Sequence, residues 1–343
     1  MTVFWRPRPS RIILPPSTMG KKRSTVTVHA RKDQGGRILK KSRLEAAAKV
    51  HAGRALSKAS ETAYEALWSG FEAWCYDFGE QALPASPTTV AQYLTDQAAT
   101  DHKAATLDSI LAAIQHHHRV AGLSSPHDHP DVQAVRSGIR RELGTAQRRV
   151  EPMLVAVLER VVTALPNTLA GARDRALLLF GFASALRRSE LVALEVADLR
   201  RTAEGYQVRI RRSKTDQEGR GRAIGVPVAQ NPALCPVEAV EAWLQVARIR
   251  SGGIFRGVDK HGHVDPRPLS GRAVALVVKR AVEAVGLPPE DFAGHSLRAG
   301  FVSQAALMGA DFHAIRRQTG HRSPAIVDRY VRLALGTSGL KLL

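Results

Sequence analysis

The chain has 343 residues, 44% of them apolar, enough for two domains with separate cores. A formal charge of +19 and a pI of about 10.7 point to a polyanionic partner held with salt-dependent affinity, and argue against an acidic, solvating chain. Two cysteines, Cys75 and Cys235, exclude a disulfide framework; no apolar run has the length of a membrane span, and the head lacks the apolar core of a secretion signal, so a cytoplasmic, nucleoid-associated protein is expected.

Residues 1–60 carry 15 Lys/Arg against 2 Asp/Glu, whereas the remainder carries 35 against 29. The excess charge is thus concentrated in a head poor in large apolar residues, and residues 1–57 read as a basic, disordered tail that can still track phosphates. Met19, ahead of Gly-Lys-Lys-Arg, is a second candidate start.

The first helix follows Ser60. Tyr64, Leu67, Trp68, Phe71, Trp74, Cys75 and Phe78 recur at spacings of three and four and form one apolar face, more simply core than a base-stacking platform. Ser86-Pro87 reads as an N-cap with proline at the first helical position, ahead of Val90, Tyr93 and Leu94. A third helix carries Leu107, Ile110, Leu111 and Ile114, and a fourth Val132, Val135, Ile139 and Leu143. Four helices in this space make a compact all-α module. His116-His117-His118, with His127 and His129, lack the spacing of a closed metal site and read as a polar helix end near the polyanion.

Gly144-Thr-Ala-Gln-Arg-Arg149 interrupts the pattern as a basic linker. Beyond it, helices are expected at 152–165, 172–185, 236–248, 270–285, 295–308, 311–319 and 323–334. Residues 206–211 alternate and can pair with 223–228 across a polar turn. The expected fold is therefore mainly α with a small antiparallel β-sheet, α+β in the second module.

Six polar residues of this second module form a chemical set. His295 and Arg298 are three apart, hence on one helix face, and a guanidinium can grip two phosphate oxygens. Arg187 follows an apolar helix, with Glu190 three residues on as its buttress, and Lys214 sits beside the hairpin turn. His321 follows Gly320, a helix stop, and Tyr330 lies nine residues later. A phenol attacks well only where positive charge favours the phenolate, and these cations supply it. Singly, each residue is more simply a surface or packing residue; the combination is what points to phosphodiester chemistry on DNA.

The ordered string Leu186-Arg187-x-Ser189-Glu190-Leu191, Lys214 between two strands, His295-x-x-Arg298, Gly320-His321 and Tyr330 resembles the tyrosine recombinase, or phage integrase, family. The resemblance covers about residues 58–340 and implies a core-binding, DNA-clamping domain at 58–146 and a catalytic domain at 150–343, the two gripping duplex DNA. It implies that Tyr330 attacks the phosphate to give a 3′-phosphotyrosyl link and a free 5′-hydroxyl. Arg187, Arg298 and His295 would stabilise the transition state, Lys214 would be the general acid, His321 would donate to the phosphate, and Glu190 would support Arg187. No metal, cofactor or ATP is implied, and a homo-tetramer on paired recombination sites is. Alternatives are a type IB-like topoisomerase and a non-catalytic DNA-binding protein of the same fold. Two positions depart from the family pattern: Ala185 stands where glycine is usual, and Ala299-Gly300-Phe301 where His-Thr-Phe is frequent.

Overall fold

The chain divides into two units after Glu142. The computed structural model describes residues 57–100, 102–144, 150–211 and 221–321, together with Leu44. The expected tail, the turn carrying Lys214 and the helix carrying Tyr330 lie outside the described residues.

The first unit contains α1 (Lys58–Phe78), α2 (Pro87–Ala99), α3 (Ala104–Val120) and α4 (Pro130–Glu142). Ser57 caps α1 by accepting from the Ser60 amide, three residues earlier than expected, and Gly79 ends it in the left-handed conformation. Ser86 caps α2 by accepting from the Thr89 amide, with Pro87 at the first turn as expected. Trp68, Phe71 and Cys75 of α1 pack with Val90, Tyr93 and Leu94 of α2, Leu111 and Ile114 of α3 and Val132 of α4. The aromatic stripe is therefore core at Trp68 and Phe71, while Phe78 is exposed at the helix end. α4 stops at Glu142, and Leu143 is exposed.

The histidine run, expected as a polar helix end, is partly packed. His118 is fully buried, and its Nε2 accepts from the Ala85 amide at 2.9 Å. Nδ1 therefore carries the proton and donates to the Ile114 carbonyl at 2.8 Å, tying α3 to the loop before α2. His117 stacks on Trp68 with ring centroids 4.4 Å apart and an interplanar angle of 7°. The histidines are packing groups because the aromatic face of α1 reaches the end of α3, a contact that helix periodicity does not reveal.

The second unit is built round α6 (Leu169–Ser184), capped by Thr168, whose hydroxyl accepts from the Gly171 amide. Residues 176–181 are all buried, because α6 is surrounded by α5 (Val155–Ala164), α8 (Pro236–Val246), α9 (Gly271–Glu283) and α10 (Ser296–Leu307). The short α7 (Arg188–Val192) follows α6, and α11 (Phe312–Thr319) follows α10. Trp243 of α8 is fully buried, and its indole donates to the Ile254 carbonyl at 2.8 Å. Cys75 and Cys235 are buried thiols, as expected.

The sheet has three antiparallel strands in the order β1 (Leu199–Thr202), β2 (Gly205–Ile210) and β3 (Arg222–Pro227). In register, Val208 faces Ile224 and Leu199, and Tyr206 faces Val226. Tyr206, Val208 and Ile210 point to the core while Gln207 and Arg209 face solvent, the alternation expected of a half-buried strand. β1 and a separate hairpin of β4 (Arg256–Val258) and β5 (Val264–Pro268) were not expected. β1 is four residues with two arginines, and β5 contains two prolines, so neither shows apolar alternation. No helix among the described residues is long and apolar enough to cross a membrane.

Candidate active site

Arg187 is placed by the end of α6. Ala185 terminates that helix with φ +50°, the left-handed region, which reverses the chain and presents Arg187 at the N-cap of α7. A Cβ in that region is unfavourable, by about 1–2 kcal/mol, which is the physical reason glycine suits the position. The Ala185 carbonyl, so turned, accepts from Arg298 Nη1 at 2.7 Å. Arg298 is almost completely buried in the first turn of α10, so this turn of backbone joins two arginines 111 residues apart in sequence.

Glu190 sits beside Arg187. Its carboxylate is wholly buried; Oε2 accepts from the Arg187 amide at 3.0 Å, and Oε1 accepts from Arg187 Nη1 at 2.7 Å. A buried carboxylate needs such partners, and the pair holds the Arg187 side chain in one direction. Arg222, which sequence reasoning missed, supplies a second cation to the same carboxylate, Nη2 to Oε2 at 3.5 Å.

His321 is set by α11. Gly320 ends the helix at φ +66°, and a Cβ there would stand 3.1 Å from Arg222 Nε. Thr319 donates its hydroxyl proton to the Ile315 carbonyl at 2.7 Å. The hydroxyl then has only lone pairs for His321 Nδ1, 2.9 Å away, so Nδ1 carries the imidazole proton and donates it. Burial lowers the His321 pKa to about 3, reinforced by Arg298, Arg187, His295 and Arg222. His295, at the N-terminus of α10, is lowered in the same direction by burial, then by Arg298, Arg188 and Arg187; solvent access on its open side moderates the effect.

Five expected site residues, Arg187, Glu190, His295, Arg298 and His321, thus converge from three separate stretches of chain. The cluster can neutralise and orient a phosphodiester: two guanidiniums present forked donors, and two imidazoles are available to hold or exchange protons. The remaining two, Lys214 and Tyr330, lie outside the described residues. Beside the cluster, a cleft of about 710 Å³ opens at the sheet, lined by Arg200, Gln207, Arg209, Arg211 and Arg222 among others. Arg211 is held by Glu195 and Asp198, each at 2.7 Å. Among the described residues, neither Arg200 nor Arg209 has an acidic partner.

Residues 153–335 match the sequence profile of the phage integrase family. An integrase/recombinase xerD homolog of Selenomonas ruminantium is 42% identical over 281 residues, 80% of this chain and 82% of that one. The recombinase cre of Escherichia phage P1 is 26% identical over 279 residues, 76% of this chain and 80% of that one. Among solved structures, a lambda integrase tetramer bound to a Holliday junction is similar with a TM-score of 0.57 at 19% identity, covering 92% of this chain and 85% of that one.

Proposed function

The chain belongs to the phage integrase family of tyrosine recombinases and is a site-specific DNA recombinase; from that premise we propose that Tyr330 is its nucleophile and that the Arg187–His295–Arg298–His321 cluster binds the scissile phosphate. The phenol loses its proton to solvent as the phenolate forms, the phenolate oxygen forms a bond to phosphorus, the bond from phosphorus to the 5′ oxygen breaks, and that oxygen leaves with a proton from Lys214. The product is a 3′-phosphotyrosyl link with a free 5′-hydroxyl. Rejoining is the reverse attack by a 5′-hydroxyl, and since one ester replaces another, ATP is not required. Arg187 and Arg298 stabilise charge on the non-bridging oxygens, the role that metal ions play in other phosphoryl transfers.

The observation that carries this reading is the convergence itself. Arg298 donates to the Ala185 carbonyl two residues before Arg187, and both guanidiniums lower the affinity of His321 for protons. A site that repels protons from its own histidines favours an anion and a phenolate. A phosphate in this position reverses the balance for His321: since Nδ1–H is committed to Thr319, donation through Nε2 takes a second proton, which the phosphate's negative charge favours.

The residues after Glu142 act as the catalytic unit, and the four-helix unit before it as the core-binding unit on the same duplex. Arg200 and Arg209 contact flanking phosphates from the sheet face. A homo-tetramer on two paired sites, acting in the cytoplasm on nucleoid DNA, is the working assembly.

Covalent trapping tests the reading. Wild type and Tyr330→Phe are mixed with nicked DNA carrying candidate sites in the presence of EDTA and resolved on a denaturing gel. An adduct with wild type alone is expected and establishes a metal-independent tyrosine nucleophile. An adduct with both would remove Tyr330 from the mechanism, and none with either, with sequence-specific binding intact, would favour a non-catalytic binder.

A further inference from the structure

Arg222 opens β3, and nothing in its surroundings in sequence sets it apart: Arg209, Arg211, Arg212 and Arg220 precede it. The fold treats it differently. Arg209 faces solvent, whereas Arg222 turns inward and is largely covered. Its Nη1 donates to the Gln318 carbonyl at 2.7 Å, its Nη2 lies 3.4 Å from the Thr319 carbonyl and 3.5 Å from Glu190 Oε2, and its Nε lies where a Cβ on Gly320 would crowd it. The two carbonyls belong to the last turn of α11, where a helix leaves acceptors unsatisfied and where positive charge is favoured.

One planar guanidinium therefore joins the carboxylate that orients Arg187 to the helix end that orients His321. Gln318 repeats the connection from the other side. Its Nε2 donates to the Ala183 carbonyl at 3.0 Å and to the Gly225 carbonyl at 2.9 Å, tying α11 to the end of α6 and to β3. Burial disfavours the charge on Arg222, while Glu190 favours it. A largely covered cation that meets a carboxylate and two carbonyls at once is held in place by all of them.

We infer that Arg222 is a positioning residue for strand cleavage: it sets the distance and orientation between the Arg187–Glu190 pair and the Gly320–His321 turn, so that both meet the same phosphate. It does so without serving as a phosphate ligand itself. This rests on the reading above that Arg187 and His321 act on the scissile phosphate. Displacing a catalytic group by about 1 Å lowers rates on the order of a hundredfold, and that effect falls on the chemical step rather than on duplex binding, which many surface cations share.

The test compares the full chain with Arg222→Lys and Arg222→Ala. DNA affinity is measured by gel shift, and the single-turnover rate of adduct formation on a nicked site at saturating protein. Arg222→Lys keeps a charge beside Glu190 but cannot fork to two carbonyls. The expected result is near-wild-type affinity for both, with the adduct rate reduced roughly tenfold in Arg222→Lys and roughly a hundredfold in Arg222→Ala. Adduct rates within threefold of wild type in both, or a loss confined to affinity, would overturn the assignment. Unfolding of both variants would make Arg222 structural only and overturn it equally; unfolding of Arg222→Ala alone leaves Arg222→Lys to decide. Wild type and Tyr330→Phe run alongside, so a failure of the nucleophile reading is seen separately from a failure at Arg222.

Discussion

A neutral imidazole among guanidiniums makes stability depend on pH. Below about pH 6.5 an unfolded chain binds a proton at His321 that the folded protein refuses until near pH 3. More protons are then bound by the unfolded state, so the folded state loses stability as pH falls through this window and is unaffected by His321 above it. The slope is at most about 1.4 kcal/mol per pH unit. Urea unfolding between pH 7.5 and 5 is expected to show a steeper loss for wild type than for His321→Gln; equal slopes would mean that His321 titrates normally in the fold. Of the residues in this cluster, His321 and Arg298 were legible as candidates in sequence from the helix stop at Gly320 and the three-residue spacing to His295. Arg222 was not. Inside an arginine-rich run it looks like a solvated charge, and only the proximity of α11, some 95 residues further on, makes it a largely covered one.

At the scale of elements, the second departure from the family pattern has a packing explanation. Gly300 lies in α10 where a Cβ would stand 2.0 Å from the Met153 carbonyl oxygen. The close approach lets the segment before α5 lie along α10, with the Met153 amide donating to the Ser296 carbonyl at 3.0 Å. Backbone atoms on both sides leave little room to yield. Gly300→Ala is therefore expected to destabilise the protein by about 3 kcal/mol and to slow cleavage, since Arg298 lies two residues away on the same helix. Thermal and urea unfolding measure the first effect; a change below about 0.5 kcal/mol would show that the Met153 segment moves aside freely. Helices carry their signal locally, in caps and in the three-to-four spacing of apolar residues, so α1, α2, α6, α8, α9 and α10 were legible with their ends displaced by a few residues. β1, β4 and β5 were not, since each is short, polar or proline-containing and exists only because a neighbour strand completes its hydrogen bonds.

For the whole molecule, charge distribution is the governing quantity. Residues 1–60 hold a disproportionate share of the excess lysine and arginine, whereas the cluster around Arg187 and Arg298 holds only a few fixed cations. Removing residues 1–57 is accordingly expected to weaken DNA binding more at low salt than at high salt, with adduct formation at saturating protein unchanged. The log–log salt dependence should become shallower by roughly 0.9 for each phosphate that the shortened chain leaves unneutralised. Titration by fluorescence anisotropy across a salt series checks this, and identical slopes with and without the segment would assign the affinity to the folded units alone.

The chain by itself determined the class of partner, the helical framework and a set of chemically capable candidate residues, because charge, periodicity and motif order are properties of neighbours in sequence. Tertiary structure alone decided how these residues act together. Ala185 takes a left-handed turn and offers its carbonyl to Arg298, Glu190 is buried between two arginines, Thr319 dictates which nitrogen of His321 carries the proton, and Arg222 bridges the two halves of the site. These contacts depend on burial, and those of Ala185 with Arg298 and of Arg222 with Glu190 and α11 depend on partners distant in sequence, which are held together only once the fold has excluded the water that competes with them.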